Sequence, residues 1–406
     1  MRPYPAEEMG MSVKKSVNLL NHLSKTKNCL LKDGKLMPGY GIGTVPVKVR
    51  PDIVFAAYSN SVGKYFIGTE HELGLSENGI DFSYTDTGSA SPFLIEDYDD
   101  EAPRAVIISG HFTEEYSGGS HYRSVLDKKL DCGVMHCGRL FASDGYTLWW
   151  SGQNGYISWS DGLAESGYLL LDYPLGKVLH LLILKGKLIA VREYGISVFG
   201  MYGSPEQFSE DGAHNACDWI YKNTACVISD KMYFYSRSGL KCFDGNKISP
   251  VGTKYTFQNP KSAVVYGGKY YLACHCAEWD EDVIACIDLD GGDCVLIDES
   301  AEMLYAKDGV GFFKAGTHKR ITVDGGKVLF ESEAMDFGTQ RAKTVTKIEV
   351  AGEGYFSISN GKYTRRFAIR NGCVNPRLKG KRFTVCGASD SRIDAITVTA
   401  EVTDGV

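Results

Sequence analysis

The stretch 186–200, GKLIAVREYGISVFG, decides the fold. Leu188, Ala190 and Arg192 point to one side of a strand and Ile189 and Val191 to the other, Tyr194-Gly195 turns the chain, and Ile196, Val198 and Phe199 begin the return. A lone hairpin is marginal in water, and one that is apolar on both faces must be covered on both sides. Such a unit is stable only when further copies stack on it.

Working outward, the same hairpin recurs around the Asp144-Gly145, Ser238-Gly239 and Asp308-Gly309 turns and again from Lys269. The intervals of roughly 35 to 50 residues bracket the period of a four-stranded propeller blade. Val178–Leu184, VLHLLIL, is apolar on both faces, as an inner strand between blades should be. His180 within it reads as a hydrogen-bonded core residue. The neighbouring Arg192-Glu193 reads as an exposed or channel-lining pair. The resulting expectation is an all-β chain with a six- or seven-bladed β-propeller over residues 51–330.

The flanks differ from the wheel. Residues 1–50 read as an N-terminal extended arm, in which Val13, Val17, Leu20 and Leu23 allow a short amphipathic helix and residues 28–45 are turn-rich. The run Gly39-Tyr40-Gly41-Ile42-Gly43 lacks a preceding strand, a following helix and the Lys-Ser/Thr of a phosphate loop. After residue 330 come five short alternating strands, which fit a small β-sandwich over residues 331–406.

Composition excludes several classes. With 43% hydrophobic residues, 46 Gly and 24 Tyr, no run approaches the roughly 18 apolar residues of a membrane span. The first fifteen residues show no secretory pattern, so cytosolic folding is expected and the twelve cysteines are read as reduced, buried thiols. Cys274-His275-Cys276 and Cys132 with His136-Cys137 are the close clusters. On a strand His275 faces away from Cys274 and Cys276, so no metal and no cofactor is expected.

Charge divides the chain. Residues 331–406 carry 12 Lys or Arg against 9 Asp or Glu, while the rest carries 32 against 41. The basic stretch supplies Lys362, Arg365, Arg366, Arg370, Arg377, Lys379, Lys381 and Arg382, a candidate partner-binding face. It lacks the interleaved aromatics of a single-strand platform, so no specific nucleic acid is expected. Its counterpart is an acidic loop of Glu96, Asp97, Asp99, Asp100 and Glu101, and a loop on one copy that meets the basic face of the next would close a ring.

Catalytic patterns are sparse. Ser76-Glu77-Asn78-Gly79-Ile80-Asp81-Phe82 is a loose form of the structural Asp-box turn of sialidases, with Asn78 where Asp is usual. Sialidase chemistry needs an arginine cluster and a Glu-activated Tyr, and Arg104, Arg123, Arg139 and Arg192 are spread over different blades. Asp288, Asp290 and Asp293 read as a hairpin turn rather than a calcium loop. No enzymatic activity is expected.

The order of parts completes the reading. The arm with Asn18-Leu19-Leu20 and Pro38-Gly39-Tyr40, a propeller with Leu148-Trp149-Trp150-Ser151 and Tyr156-Ile157-Ser158-Trp159-Ser160-Asp161, and the terminal sandwich together resemble bacteriophage tail proteins. The nearest in kind are head-closure or tail-stabilisation proteins of short-tailed phages. The resemblance implies a structural virion protein, assembled in the host cytoplasm as a ring with copies of itself and with other tail or portal proteins. A carbohydrate-binding, host-attachment propeller is the alternative, and a sialidase- or lyase-like enzyme stands behind it. The three Trp of these motifs, Trp149, Trp150 and Trp159, are read as interior packing at blade interfaces.

Overall fold

The computed structural model describes residues 13–87, 92–97, 103–110, 112–117, 120–126, 128–153, 165–290, 293–323 and 325–402. Among them no α-helix occurs; strands are joined by turns and three short 3-10 segments, Leu19–His22, Tyr173–Leu175 and Pro205–Gln207. They fall into two compact units. One comprises residues 43–294 and 299–321, the other residues up to 42, residues 295–298 and residues from 322 onward.

The first unit is a β-propeller. Its first five blades are antiparallel sheets of four strands, running from Phe55–Ser59 to Ser83–Asp86, Phe93–Asp97 to Ser120–Val125, Cys132–His136 to Gly167–Leu170, Val178–Leu184 to Ser209–Asn215, and Cys226–Ile228 to Ile248–Pro250. A three-stranded meander follows, Phe257–Tyr266, Lys269–Cys276 and Glu281–Asp288. The sixth four-stranded blade takes Met303–Ala306, Val310–Lys314 and Thr317–Val323 from late in the chain and Tyr40–Lys48 from early in it. Innermost strands lie against one another around the ring, and Met303–Ala306 meets Phe55–Ser59. The wheel is therefore latched where early and late chain share one sheet, which removes the open edge a linear array would leave.

The opening hairpin shows why the wheel forms. Its strands are Lys187–Arg192 and Gly195–Gly200. Leu188, Ala190 and Phe199 pack with Phe141, Trp150 and Leu181, while Ile189, Val191, Ile196 and Val198 pack with Met232, Phe234 and Phe243. Each face is thus sealed by a different neighbouring blade.

Arg192 is not an exposed or channel-lining partner of Glu193. Its side chain is 1% exposed. Nε and Nη2 donate to the Gly176 carbonyl at 2.9 and 2.8 Å, Nη2 also donates to the Asp172 carbonyl, and Nη1 donates to Ser197 Oγ at 3.4 Å. Glu193 instead accepts from the Lys177 backbone N–H at 3.1 Å. The buried guanidinium satisfies carbonyls of the connection between the third and fourth blades, a role that adjacent charges in sequence do not reveal.

Turns repeat one device. Asn78 Oδ1 accepts from the N–H groups of Ile80 and Asp81 at 2.8 and 2.9 Å, Asp144 Oδ1 from Tyr146 and Thr147 at 3.2 and 2.9 Å, and Asp244 Oδ1 from Asn246 and Lys247 at 2.9 Å each. A short acceptor side chain at the first position closes the turn on its own backbone. The Asp-box-like segment is such a turn. Asp288 does the same for Asp290 at 3.1 Å, and the Asp288 N–H bonds the Asp293 carbonyl at 2.8 Å, so this segment is a hairpin end.

The second unit is a sandwich to which both ends of the chain contribute. Lys343–Ser359 is its long strand, pairing with Ala395–Val402 along its first half and with Thr384–Ser389 along its second. The register slips between Val350 and Glu353, and Gly352 there has φ +140°. Two strands expected from sequence are therefore one strand bent at a bulge. Val328, Phe330, Val345, Ile348, Phe356, Ile396 and Val398 fill the core.

The first residues depart most from expectation. Val13–Asn18 is a strand paired with Ala395–Val402, Leu19–His22 is one 3-10 turn capped by Asn18 Oδ1, and Leu23–Lys27 pairs with Val328–Ser332. There is no amphipathic helix in this segment. Leu19 and Leu20 sit in the sandwich core, so residues 13–42 are strands and turns of that unit rather than a separate arm ending at residue 50. The glycine run is packing: a Cβ on Gly326 would lie 2.0 Å from the Tyr40 carbonyl oxygen, and one on Gly41 would lie 2.9 Å from the Gly326 nitrogen. Close backbone approach, not phosphate, explains it.

Candidate binding surfaces

All eight residues of the expected basic face are exposed. The hairpin of Lys343–Ser359 with Thr364–Val374 carries Lys362, Arg365, Arg366 and Arg370, and among the described residues Thr364–Val374 pairs only with Lys343–Ser359, which leaves it a sheet edge. Lys379 is the middle residue of the short strand Leu378–Gly380, and Arg377, Lys381 and Arg382 flank it. Asn360 ties the two groups, since its Nδ2 donates to the Lys379 carbonyl at 2.8 Å while its Oδ1 holds the N–H groups of Lys362 and Tyr363. Among the described residues, Arg370 alone of the eight has a carboxylate at ion-pair distance, Glu353 at 2.8 Å.

A cation the sequence reading missed lies beneath. Lys343 is fully buried and donates to the carbonyls of Thr339 and Lys381. Burial pushes its pKa down, opposed by Asp336 and aided by Lys15 and Arg382. Of the eight exposed cations only Arg382 bears on this interior group, and it does so less than burial.

The acidic partner surface is placed differently from expectation. Glu96 and Asp97 end the inner strand Phe93–Asp97 rather than projecting from a loop. Glu96 Oε1 accepts from Ser61 N and Oγ at 3.2 and 3.4 Å, and Asp97 pairs in register with Arg104. Asp99, Asp100 and Glu101 lie outside the described residues, as do residues 156–161 of the propeller motif with Trp159.

A cavity of about 520 Å³ opens among the inner strands of the wheel, lined by residues such as Ala57, Leu94, Val134, Leu181 and Val264. Glu96 and His180 are its carboxyl and imidazole groups. His180 therefore faces the cavity instead of being a hydrogen-bonded core residue; burial, with Lys222 nearby, pushes its pKa down to about 4. The four arginines do not converge there. Arg104 pairs with Glu115 at 3.3 Å, Arg123 donates to the Asp86 carbonyl at 2.9 Å, Arg139 donates to Glu165 at 2.7 Å, and Arg192 is spent on backbone carbonyls. A Tyr–Glu pair does exist, Tyr116 donating to Glu114 at 2.7 Å, but burial raises the Tyr116 pKa far above the ordinary phenol and the pair is enclosed in the second blade.

Six of the twelve cysteines are buried, but Cys226, Cys242 and Cys386 are half-buried and Cys137, Cys217 and Cys373 are exposed, so the expectation of buried thiols holds for half of them only. Cys274 and Cys276 are buried and His275 turns to the other side, against Asp282 at 3.2 Å. Burial raises the Cys274 pKa well above the free thiol and that of Cys276 to about 11. Near the other cluster, Cys132 is pushed up to about 12 by burial. Among the described residues no group of three or more His, Cys, Asp or Glu side chains is arranged to hold a metal ion. No described helix is long and apolar enough to cross a membrane.

A second concave surface, of about 1050 Å³, was not signalled by any motif. Tyr194 is in the turn between the second and third strands of the fourth blade, Arg237 in the equivalent turn of the fifth, and Asn215 to Tyr221 run between them. In an antiparallel meander those turns and the connections between blades share one end of the wheel. The backbone welds them: Ala216 N–H bonds the Tyr194 carbonyl, Ile220 N–H that of Glu193 and Arg237 N–H that of Trp219, each at 2.8 Å. Tyr194 and Trp219 meet edge to face with ring centres 5.4 Å apart, and both remain partly exposed, 42% and 38%.

No family model matches the sequence, and no curated protein matches it. Solved structures match in shape. A streptogramin B lyase superposes with a TM-score of 0.52 at 8% identity over 70% of this chain and 98% of that one. A catalytically inactive virginiamycin B lyase from Staphylococcus aureus, solved with quinupristin, gives 0.51 at 10% identity over 70% and 99%. The WD40 domain of Neurospora crassa Pan2 gives 0.49 at 11% over 71% and 96%. The likeness to the two lyases is one of fold: the chain is a β-propeller protein.

Proposed function

We propose that this chain is a structural component of a bacteriophage particle, in the tail or at the head–tail junction, working by protein–protein binding rather than by turnover. The observation that carries this reading is the basic face. Seven of its eight exposed cations have no carboxylate at ion-pair distance among the described residues, and they line a sheet edge and an adjacent turn. A cation array of this kind gains from meeting an acidic surface, and such surfaces steer association and fix register between subunits. The propeller portion has the acidic balance that a neighbouring copy would offer. The resemblance of a propeller followed by a terminal sandwich to short-tailed phage tail proteins points the same way.

The decisive experiment is mass-spectrometric quantification of the protein in purified phage particles from its host. A fixed small integer copy number per particle is expected; absence from particles removes the proposal. Reversal of Arg365, Arg366, Lys379 and Lys381 to Glu should abolish incorporation while the purified chain keeps its melting temperature.

A further inference from the structure

We infer that the concave surface at the shared end of the fourth and fifth blades is a binding site for an acidic oligosaccharide. Three features of the lining point to a sugar. Tyr194 and Trp219 set two ring faces at a right angle, 81° between planes, with Tyr221 beside them. Partly exposed rings held by backbone bonds are rigid apolar platforms on which the C–H face of a pyranose stacks. Asn215 and Asn259 line the same surface; Asn215 Oδ1 accepts from the Cys217 N–H at 2.6 Å, which leaves its Nδ2 and the Asn259 amide to read hydroxyl groups.

Charge then narrows the class. Asp218 is committed: its carboxylate accepts from the Trp219 N–H at 2.8 Å and from Ser238, and these bonds, with Lys241, hold its pKa below the usual range against the opposing effect of burial. Arg237 is exposed on the same rim, and among the described residues its guanidinium has no ion-pair partner. A planar fork of donors left open beside aromatic faces fits a carboxylate bidentately. The ligand is therefore an oligosaccharide that carries carboxylated sugars, such as uronic or nonulosonic acids. This site is independent of the basic face, and either can fail without the other.

The test is a glycan array probed with the full chain, followed by calorimetry with the best oligosaccharide and with its carboxyl-reduced counterpart. Binding of carboxylated glycans is expected. It should fall at least tenfold on carboxyl reduction, at least tenfold in Arg237→Gln and beyond detection in Trp219→Ala, with unchanged melting temperature in both variants. Should Trp219→Ala fail to fold, Tyr194→Ala serves, since that ring stands on an exposed turn. Binding of neutral glycans with equal strength overturns the acidic assignment. An empty array, or carboxylated-glycan binding that survives both Arg237→Gln and Tyr194→Ala, overturns the site.

Discussion

Two regions of the propeller are built from the same side chains and end in opposite states. At the seam where the wheel closes, buried Tyr65, Tyr305 and His318 form a network that the half-buried Arg320 joins through one end of its guanidinium, its Nε having no partner among the described residues. At the rim of the fourth and fifth blades, Tyr194, Trp219, Tyr221 and Arg237 stand around open space. In the seam, His318 Nδ1–H donates to the Gly79 carbonyl at 3.0 Å, which leaves Nε2 to accept from the Tyr305 hydroxyl at 2.5 Å, and Arg320 donates to the Tyr65 hydroxyl at 2.7 Å. His318 is fully buried and stacks on Phe313, ring centres 4.7 Å apart. Aromatic and cationic groups that answer one another specify the fold; the same groups left unanswered are available to a ligand.

The seam can be broken most severely by removing its latch. Deleting residues 1–48 takes the fourth strand from the closing blade and two strands from the sandwich. Loss of cooperative folding is expected, read as absence of a thermal transition and aggregation on size exclusion. A truncated chain that melts like the full one would show that the wheel closes without its latch.

Acid should open the same seam without a mutation. Burial is the main cause that lowers the His318 pKa to about 4, from about 6.5 when unfolded. The unfolded chain therefore binds the extra proton first, so the contribution of this residue is complete above pH 6.5 and is lost as pH falls toward 4. The shift corresponds to about 3 kcal/mol. Urea midpoints measured from pH 7.5 to 4.5 should decline, and His318→Leu should flatten that decline; an unchanged pH dependence in the variant would clear His318 of the effect.

These two regions also mark what the sequence could disclose. The wheel was legible because alternation is local: residues 188–199 show both apolar faces within twelve positions, and the hairpin repeats. The latch was not, because Tyr40–Lys48 completes a sheet with Thr317–Val323, and strands separated by most of the chain leave no trace in any window. The turn at Asn78 was read correctly since an Asx turn uses only its own next residues. The rim was missed for the opposite reason. Tyr194, Trp219 and Arg237 are each ordinary turn or connection residues, and only the stacking of blades brings them to one surface. The available signal was positional: the same turn of successive repeats carries a large polar or aromatic side chain.

Within the seam a smaller perturbation is Tyr305→Phe. It keeps the ring that packs with Tyr65 and Phe313 and removes only the hydroxyl that His318 Nε2 accepts from. A buried acceptor without a donor costs about 1–3 kcal/mol. A lower urea midpoint is expected at pH 7.5, together with a weaker acid decline, because the freed nitrogen takes a proton more readily. Equal midpoints for the variant and the wild-type chain would show that the hydroxyl contributes nothing to closure.

The rim should give the smallest stability change of all. Arg237→Gln removes an exposed guanidinium that has no ion-pair partner among the described residues, so the change in unfolding free energy should stay within about 0.5 kcal/mol. The backbone N–H of residue 237, which bonds the Trp219 carbonyl, is untouched by the substitution. A loss of about 2 kcal/mol or more, of the order expected for a buried unsatisfied group, would mean that the arginine is held by the protein as Arg320 is in the seam. The contrast between an answered and an unanswered arginine would then collapse, and with it the case for a ligand on the rim.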